Sequence, residues 1–488
     1  MADRRTPWLT VHAAGEARAF TGEALHAEAR RWAAAWVDAG VRPGSRVLVL
    51  LPNDVRFPAA FFGAWMAGAV PVPLAWPFTL ANAARALAPI RPLADAARAS
   101  AIATIPELAA DWGLPVVTGP ADRPLPRVAA PSPGDPAFMQ FTSGSLGRPR
   151  GAVISHGAVL ASAFAMGRAM DAGEGDVGVS WLPLFHDMGL VGALLTPLLF
   201  GFPLHLMTPG EFLLHPARWL RRLAEAGGTV STAPDFAYDL VLRRVKEDFD
   251  LSRWRVALDG AEPVHRATLD RFEARFGVRI RPVYGLAENT LGACFGTPGE
   301  ADLSWLGRSV PSCGGPLDGM TVGIRAGDVW AGEGEEGEVV IRGPALMSGY
   351  FEDEASTSAA LRDGWLHTGD LGVLRDGRLH VTGREKDLVI QHGRKFHPYD
   401  VERVAAIAAE APPNGVAAFS VAGPETEQLV VVVESRQEEI ERRVRGLLLE
   451  ELGVRADRVV RVSPGELPRT TSGKVRRREA AARFGQCP

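Results

Sequence analysis

Lysine is almost missing from this chain. Lysine and arginine together number 53, yet only Lys246, Lys386, Lys395 and Lys474 are lysines. Where arginine has displaced lysine so thoroughly, a surviving lysine marks a place that needs a compact ammonium and not a planar fork. Tyrosine is as scarce, with Tyr238, Tyr284, Tyr350 and Tyr399. Cys294, Cys313 and Cys487 are the only cysteines, an odd number without metal-ligand spacing. That excludes a closed disulfide framework and predicts a reducing compartment. Neither charge dominates: the net charge is −4 with 23% charged residues, which argues against a nucleic-acid partner. Residues 1–10 hold charges and no apolar core, so no secretory leader is visible and a cytoplasmic location is expected. One long uncharged run, residues 189–210, is interrupted by Pro197, Gly201, Pro203 and His205. It reads as a buried helix followed by a buried strand, and no membrane span is expected.

What is present suits a large α/β enzyme. At 488 residues the chain exceeds one hydrophobic core, so two or more domains are expected. Strand-like and helix-like runs alternate from residue 23 to residue 284: helices over 23–39, 57–67, 156–170, 186–199, 216–225, 235–246 and 264–276, with strands over 46–51, 69–74, 177–181, 203–207, 255–258 and 280–284. Such alternation implies stacked, mostly parallel sheets covered by helices on both faces. From about residue 320 short strands separated by Gly and Asp suggest a β-rich subdomain. Residues 383–387 look like a junction, which divides the chain into 1–385 and a small α/β unit, 386–488.

The most suggestive stretch is Phe141 to Gly151, with strand-like runs on either side. Its glycines let backbone N–H groups converge, its hydroxyls add donors, and its arginines offer forks to phosphate oxygens. The stretch lacks Gly-Lys-Ser/Thr and no helix opens directly after it, so it is not a Walker A loop. Taken alone it also reads as an ordinary Gly/Ser hairpin.

Other polar groups follow predicted strands. His186 and Asp187 end a strand that enters an apolar helix, the position where open α/β sheets place ligands; a helix cap reads equally well. Asp259 to Pro263 closes the strand 255–258. Tyr284 to Glu288 closes the strand 280–284, with a ring to face a base and a carboxylate to hold magnesium beside phosphates. Asp370, after a turn, can accept two hydrogen bonds from a ribose diol. Late in the chain, Arg469 to Lys474 forms a loop opening onto the basic run Arg476, Arg477, Arg478. A solvated basic face accounts for the arginines but leaves the one lysine unexplained.

In order and spacing, the loop, the His-Asp pair, Tyr-Gly-x-x-Glu, Thr-Gly-Asp, Gly-Arg-x-Lys-Asp and Ser-Gly-Lys resemble the adenylate-forming superfamily. That superfamily includes acyl-CoA synthetases, peptide-synthetase adenylation domains and luciferases. The resemblance covers nearly the whole chain. The stretches WLPLFHDMGL, FLLHPARWL, APDFAYDL, WRVALDGAEP and GRKFHPYDVE are similar to the fatty acyl-AMP ligase branch.

The resemblance implies ATP as substrate, Mg2+ as cofactor and a carboxylic acid activated as acyl-AMP. It places Thr142, Ser143, Gly144, Ser145, Gly147 and Arg150 on the phosphates, with arginine where the family often has lysine. Gly260, Ala261, Glu262, Tyr284, Gly285, Leu286 and Ala287 would frame the adenine, and Asp370 and Arg384 the ribose. Glu288 would bind the metal, His186 and Lys474 would serve catalysis, and Lys386 would be the hinge of a mobile C-terminal domain. Trp181, Gly192, Thr232, Phe236 and Ala237 would line the acyl pocket. The acceptor implied is the phosphopantetheine thiol of an acyl carrier protein, which the basic end could help to meet.

Two departures bear on this. The branch carries an extra segment after Tyr-Gly-x-x-Glu, where only a short connection fits between Leu291 and Cys313. Asp235 stands where asparagine is common, and its carboxylate could alter what the pocket accepts. An acyl- or aryl-CoA ligase using coenzyme A is therefore the alternative. A nucleotide-binding regulator without catalysis is a third reading, opposed by the intact Glu288, Asp370, Arg384 and Lys474.

Overall fold

The computed structural model describes the chain apart from residues 1–6, 14–15, 78–86, 89, 111, 143–148, 306–307, 392–393, 413–414, 423–426, 438, 470–474 and 486–488. Continuous apolar runs, such as Val256–Asp259 with every residue buried, belong to strands covered on both faces. The largest sheet has nine strands. Its central run is parallel: Ile280–Tyr284, Val256–Asp259, Val230–Ala233, Gly178–Ser180, Leu204–Leu206 and Pro7–Ala13. Antiparallel strands flank this run at both ends. A second sheet is parallel throughout, in the order Val70–Pro73, Arg46–Val49, Ala101–Ala103, Val116–Val117. The expected large α/β domain is thus observed.

Beyond it lies the β-rich unit, built on Thr321–Ala326, Glu336–Arg342, Trp365–Arg375 and Arg378–Arg384. The C-terminal unit packs Pro398–Ala409 and Ile440–Leu452 on the strands Val416–Ala422, Glu427–Glu434 and Arg458–Val462.

Local signals set most boundaries. The helix Gly22–Asp38 starts where Thr21 Oγ1 accepts a hydrogen bond from Ala24 N at 3.0 Å, and Gly40 follows its end with φ +83°. An aromatic core of Trp181, Phe212, Trp219, Tyr238, Trp254 and Phe272 lies beside the largest sheet. In it Trp181 stacks on Phe212 at 3.9 Å.

Two expectations need correction. The strand before His186 ends at Ser180, so His186 lies on an irregular segment and not at a strand end. The helix that follows is wound as a π-helix over Met188–Leu195, entered by a turn so tight that a Cβ on Gly189 would lie 2.1 Å from Pro183 O. The run around Asp370 is no turn but the middle of the strand Trp365–Arg375, kinked where Gly369 takes φ +71° and shifted in register just after Asp370. The run 189–210 does form a helix and then a strand. Among the described residues no helix is long and apolar enough to cross a membrane.

The pairing of Pro7–Ala13 with Leu204–Leu206 has a consequence for acid stability. It brings His12 Nε2 within 3.0 Å of His205 Nδ1, with His12 buried. Burial, with Arg222 and His205 nearby, holds the His12 ring down at about 4. The unfolded chain therefore takes up this proton first, and stability present above pH ~6.5 is lost as the pH falls toward ~4. In urea titrations between pH 7 and pH 4.5, His12→Gln is expected to flatten that decline. An unchanged slope would mean that other groups cause it.

Candidate active site

The strands converge on one cleft of about 2070 Å3. On either side of the loop the strands Pro136–Thr142 and Arg150–Ser155 pair antiparallel, with Thr142 opposite Arg150. Ser143, Gly144, Ser145 and Gly147 lie outside the described residues. The Arg150 guanidinium sits 4.3 Å above the Tyr350 ring, and the Tyr350 hydroxyl donates to Glu288 Oε1 at 2.8 Å. Burial and the neighbouring Glu288 push the Tyr350 phenol above its usual range, which keeps the hydroxyl a donor.

Glu288 suits a magnesium ion. It lines the cleft, and among the described residues nothing donates to its second oxygen. Among them there is also no cluster of three metal-ligating side chains. Magnesium commonly takes one or two carboxylates and completes its shell with water and phosphate.

The opposite wall is a hydrogen-bonded triad. Tyr284, buried at its strand end, donates its hydroxyl to Asp370 Oδ2 at 2.8 Å, and Arg384 Nε donates to Asp370 Oδ1 at 2.6 Å. Burial and Asp370 push the Tyr284 phenol far up, while Asp370 raises Arg384. Tyr284 is thus held as a neutral phenol and Arg384 as a charged guanidinium. Gly285 is obligatory, because a Cβ there would lie 1.8 Å from Leu291 O.

Ala261, Glu262, Leu286 and Ala287 line the same cleft, and Ala261 holds φ +69°. Gly260 does not line it but lets the chain pass Val283 closely. Glu262 is partly committed, since its Oε1 accepts from Phe236 N at 2.6 Å and so caps the helix Asp235–Arg244.

On the acyl side, Gly192, Thr232 and Phe236 line the cleft, whereas Trp181 and Ala237 are packed in the aromatic core behind it. Phe236, which does line the cleft, meets Trp181 edge-on at 6.2 Å. His186 faces the cleft, its Nδ1 2.5 Å from Asp187 Oδ1, and Asp187 caps the π-helix through Met188 N. Asp235 is not a free pocket carboxylate. Its oxygens accept from His265 N at 2.8 Å, the His265 ring at 2.6 Å and Thr268 Oγ1 at 3.2 Å. Burial pulls the His265 ring down, but Asp235 outweighs it and the net shift is upward.

The C-terminal unit closes the cleft. Tyr399 lies 4.8 Å from the His265 ring. Lys386 lines the cleft from the single turn Glu385–Asp387. Lys474 lies outside the described residues, but a bridge between Arg469 and Val475 brackets it, and Val475 lines the cleft.

The basic end is not one solvated face. Arg477 is held by Glu402 at 2.6 and 2.7 Å and by Asp387 at 3.2 Å, and Arg469 by Glu434 at 2.7 and 3.0 Å. Sequence reasoning missed Tyr350 and the ties of Asp235 and Arg477. The rarity of tyrosine was the one signal that pointed at Tyr350.

The chain belongs to the AMP-binding enzymes, whose family model matches residues 2–351. It lies close to the fatty acyl-AMP ligase branch of the adenylate-forming superfamily and is an adenylate-forming ligase. It is 32% identical to the long-chain-fatty-acid–AMP ligase FadD26 of Mycobacterium marinum, over 91% of this chain and 87% of that one. It is 34% identical to the medium-chain-fatty-acid–[acyl-carrier-protein] ligase TtuA of Teredinibacter turnerae, over 72% and 64%. A solved structure from a study of fatty acyl-adenylate ligases of E. coli and L. pneumophila superposes with TM-score 0.89. It is 32% identical, covering 98% of this chain and 95% of that one.

Proposed function

We propose that this ligase activates a fatty or modified acyl acid with ATP and passes the acyl group to the phosphopantetheine thiol of an acyl carrier protein. One observation carries the first half: Arg150, Tyr284, Glu288, Asp370, Arg384 and Val475, drawn from distant parts of the chain, line a single cleft. The carrier protein is supported by the likeness to TtuA, whose name specifies such an acceptor.

In this reading Tyr284 and the segment at Ala261 flank the base, and Asp370 binds the ribose hydroxyls while Arg384 fixes its orientation. Thr142, Arg150 and the loop with Ser143, Gly144, Ser145 and Gly147 hold the phosphates. A magnesium ion on Glu288 would offset phosphate charge. Lys474 lies between substrate carboxylate and α-phosphate, neutralising two anions that must meet in line. The carboxylate oxygen bonds to phosphorus and pyrophosphate leaves. The thiol then attacks the acyl carbon and AMP departs.

The second step needs the space that Lys474 fills, so residues 386–488 turn about Lys386 against the body, residues 1–385. Lys386→Pro fixes φ in the turn Glu385–Asp387. It is expected to leave adenylate formation measurable and slow thioester formation by about an order of magnitude. Equal loss in both halves would contradict the hinge.

Coenzyme A is the second reading, favoured by the short connection from Leu291 to Cys313, which is pinned down where Arg266 Nε meets Asp302 at 2.7 Å. The deciding assay presents the same adenylate to holo-carrier protein and to coenzyme A. Preference for the carrier supports the proposal, and preference for coenzyme A replaces it.

A further inference from the structure

The cleft does not stop at the strand ends. It continues down the face of the central sheet, where Val230 and Thr232, alternate residues of one strand, both line it. Val230 pairs with Val256, three residues below Asp259 at the rim of the sheet. The descent is therefore about 10 Å, the extended length of roughly eight carbons.

Across from this strand stand Met166 and Met170, one turn apart at the end of the helix His156–Ala169, both buried and both lining the cleft. Met170 lies at the foot of the strand Val256–Asp259, beside Arg255, the residue just before that strand. Its carbonyl accepts from Arg255 Nη1 at 2.6 Å, and Arg255 also grips Asp176 at 2.6 and 2.9 Å. Gly192, which also lines the cleft, faces Leu291, whose methyls would lie 3.6 Å from a Cβ at Gly192. The walls named here carry no charge, and the Asp235 carboxylate, which also lines the cleft, is turned onto His265.

We propose that this passage holds the substrate's tail as an unbranched, unsubstituted alkyl chain of medium length, and that Met170 sets the length by closing the far end. The proposal rests on the acyl-activating reading above and adds the substrate class and the residue that selects it. Methionine suits the position, being apolar, unbranched and able to fill an irregular end. Removing its side chain opens the floor toward Val230. A branched side chain at Gly192 would cut the passage off midway.

The test is pyrophosphate release with butanoate, octanoate, dodecanoate, hexadecanoate and benzoate, scored as kcat/KM. The native enzyme is expected to prefer octanoate. Met170→Ala is expected to raise dodecanoate relative to octanoate by about ten-fold or more, since single methylene groups in apolar pockets discriminate by such factors. Gly192→Leu, as an independent variant, is expected to lower octanoate by about ten-fold or more while sparing butanoate. ATP affinity, read by calorimetry, should be unchanged in both variants and so reports that each is folded.

A native preference for hexadecanoate or benzoate would overturn the proposal, as would the same chain-length profile in both variants. Pyrophosphate release with none of these acids would overturn the acyl-activating reading and this proposal with it. Release with the wrong length profile overturns only this one.

Discussion

Lys474→Ala is expected to lose adenylate formation by about a hundred- to a thousand-fold while still binding nucleotide. The barrier it addresses is electrostatic. A carboxylate must approach an α-phosphate that is itself anionic, inside a cleft where charge is poorly screened. A single ammonium between the two offsets both and fixes the line of attack. Its neighbour Val475 lines the cleft, and the Arg469–Val475 bridge pins both ends of the loop that carries it. The segment beyond is anchored by Arg477 on Glu402 and on Asp387, which belongs to the Lys386 turn.

In the proposed reading ATP binding relies instead on Tyr284, Asp370 and Arg384, none of which the substitution touches. Calorimetry with ATP alongside pyrophosphate exchange separates the two effects. Near-normal exchange in Lys474→Ala would rule out the role.

Asp370→Ala is expected to weaken nucleotide binding by about a hundred-fold. The carboxylate is 6% exposed and accepts from two groups at once, Tyr284 and Arg384. Its removal deletes the proposed ribose acceptor and also strands the buried Tyr284 phenol, a group that is costly to leave unpaired. Tyr284→Phe keeps the carboxylate and the ring and loses one hydrogen bond, so its effect should be much smaller. Equal losses in the two variants would mean that Asp370 acts through Tyr284 rather than by touching the ribose.

The architecture was largely legible in the sequence because its strands are buried on both faces. Residues 256–258 are such a short apolar run, and the polar Asp259 and the turn after it close it at the rim. The site was legible as separate motifs, and what joins them was not. Tyr350 reaches Glu288 across 62 positions and Asp235 reaches His265 across 30. No local pattern encodes partners at such separations.

Errors of kind came from backbone geometry. Met188–Leu195 has the composition of any apolar helix, and its π winding depends on Gly189 passing Pro183. Thr-Gly-Asp has the composition of a turn, yet pairing with Glu336–Arg342 and Arg378–Arg384 holds it in a strand. The resemblance implied Trp181 as a pocket residue. Its stacking on Phe212 draws it into the core.

The central claim is that the cleft joins a carboxylate to the α-phosphate of ATP, and the most direct measurement is the identity of the products. The enzyme, ATP, magnesium and octanoate, analysed by mass spectrometry before any thiol is added, should yield octanoyl-AMP and pyrophosphate in equal amounts. ADP and inorganic phosphate in their place would show attack at the terminal phosphate and contradict the account.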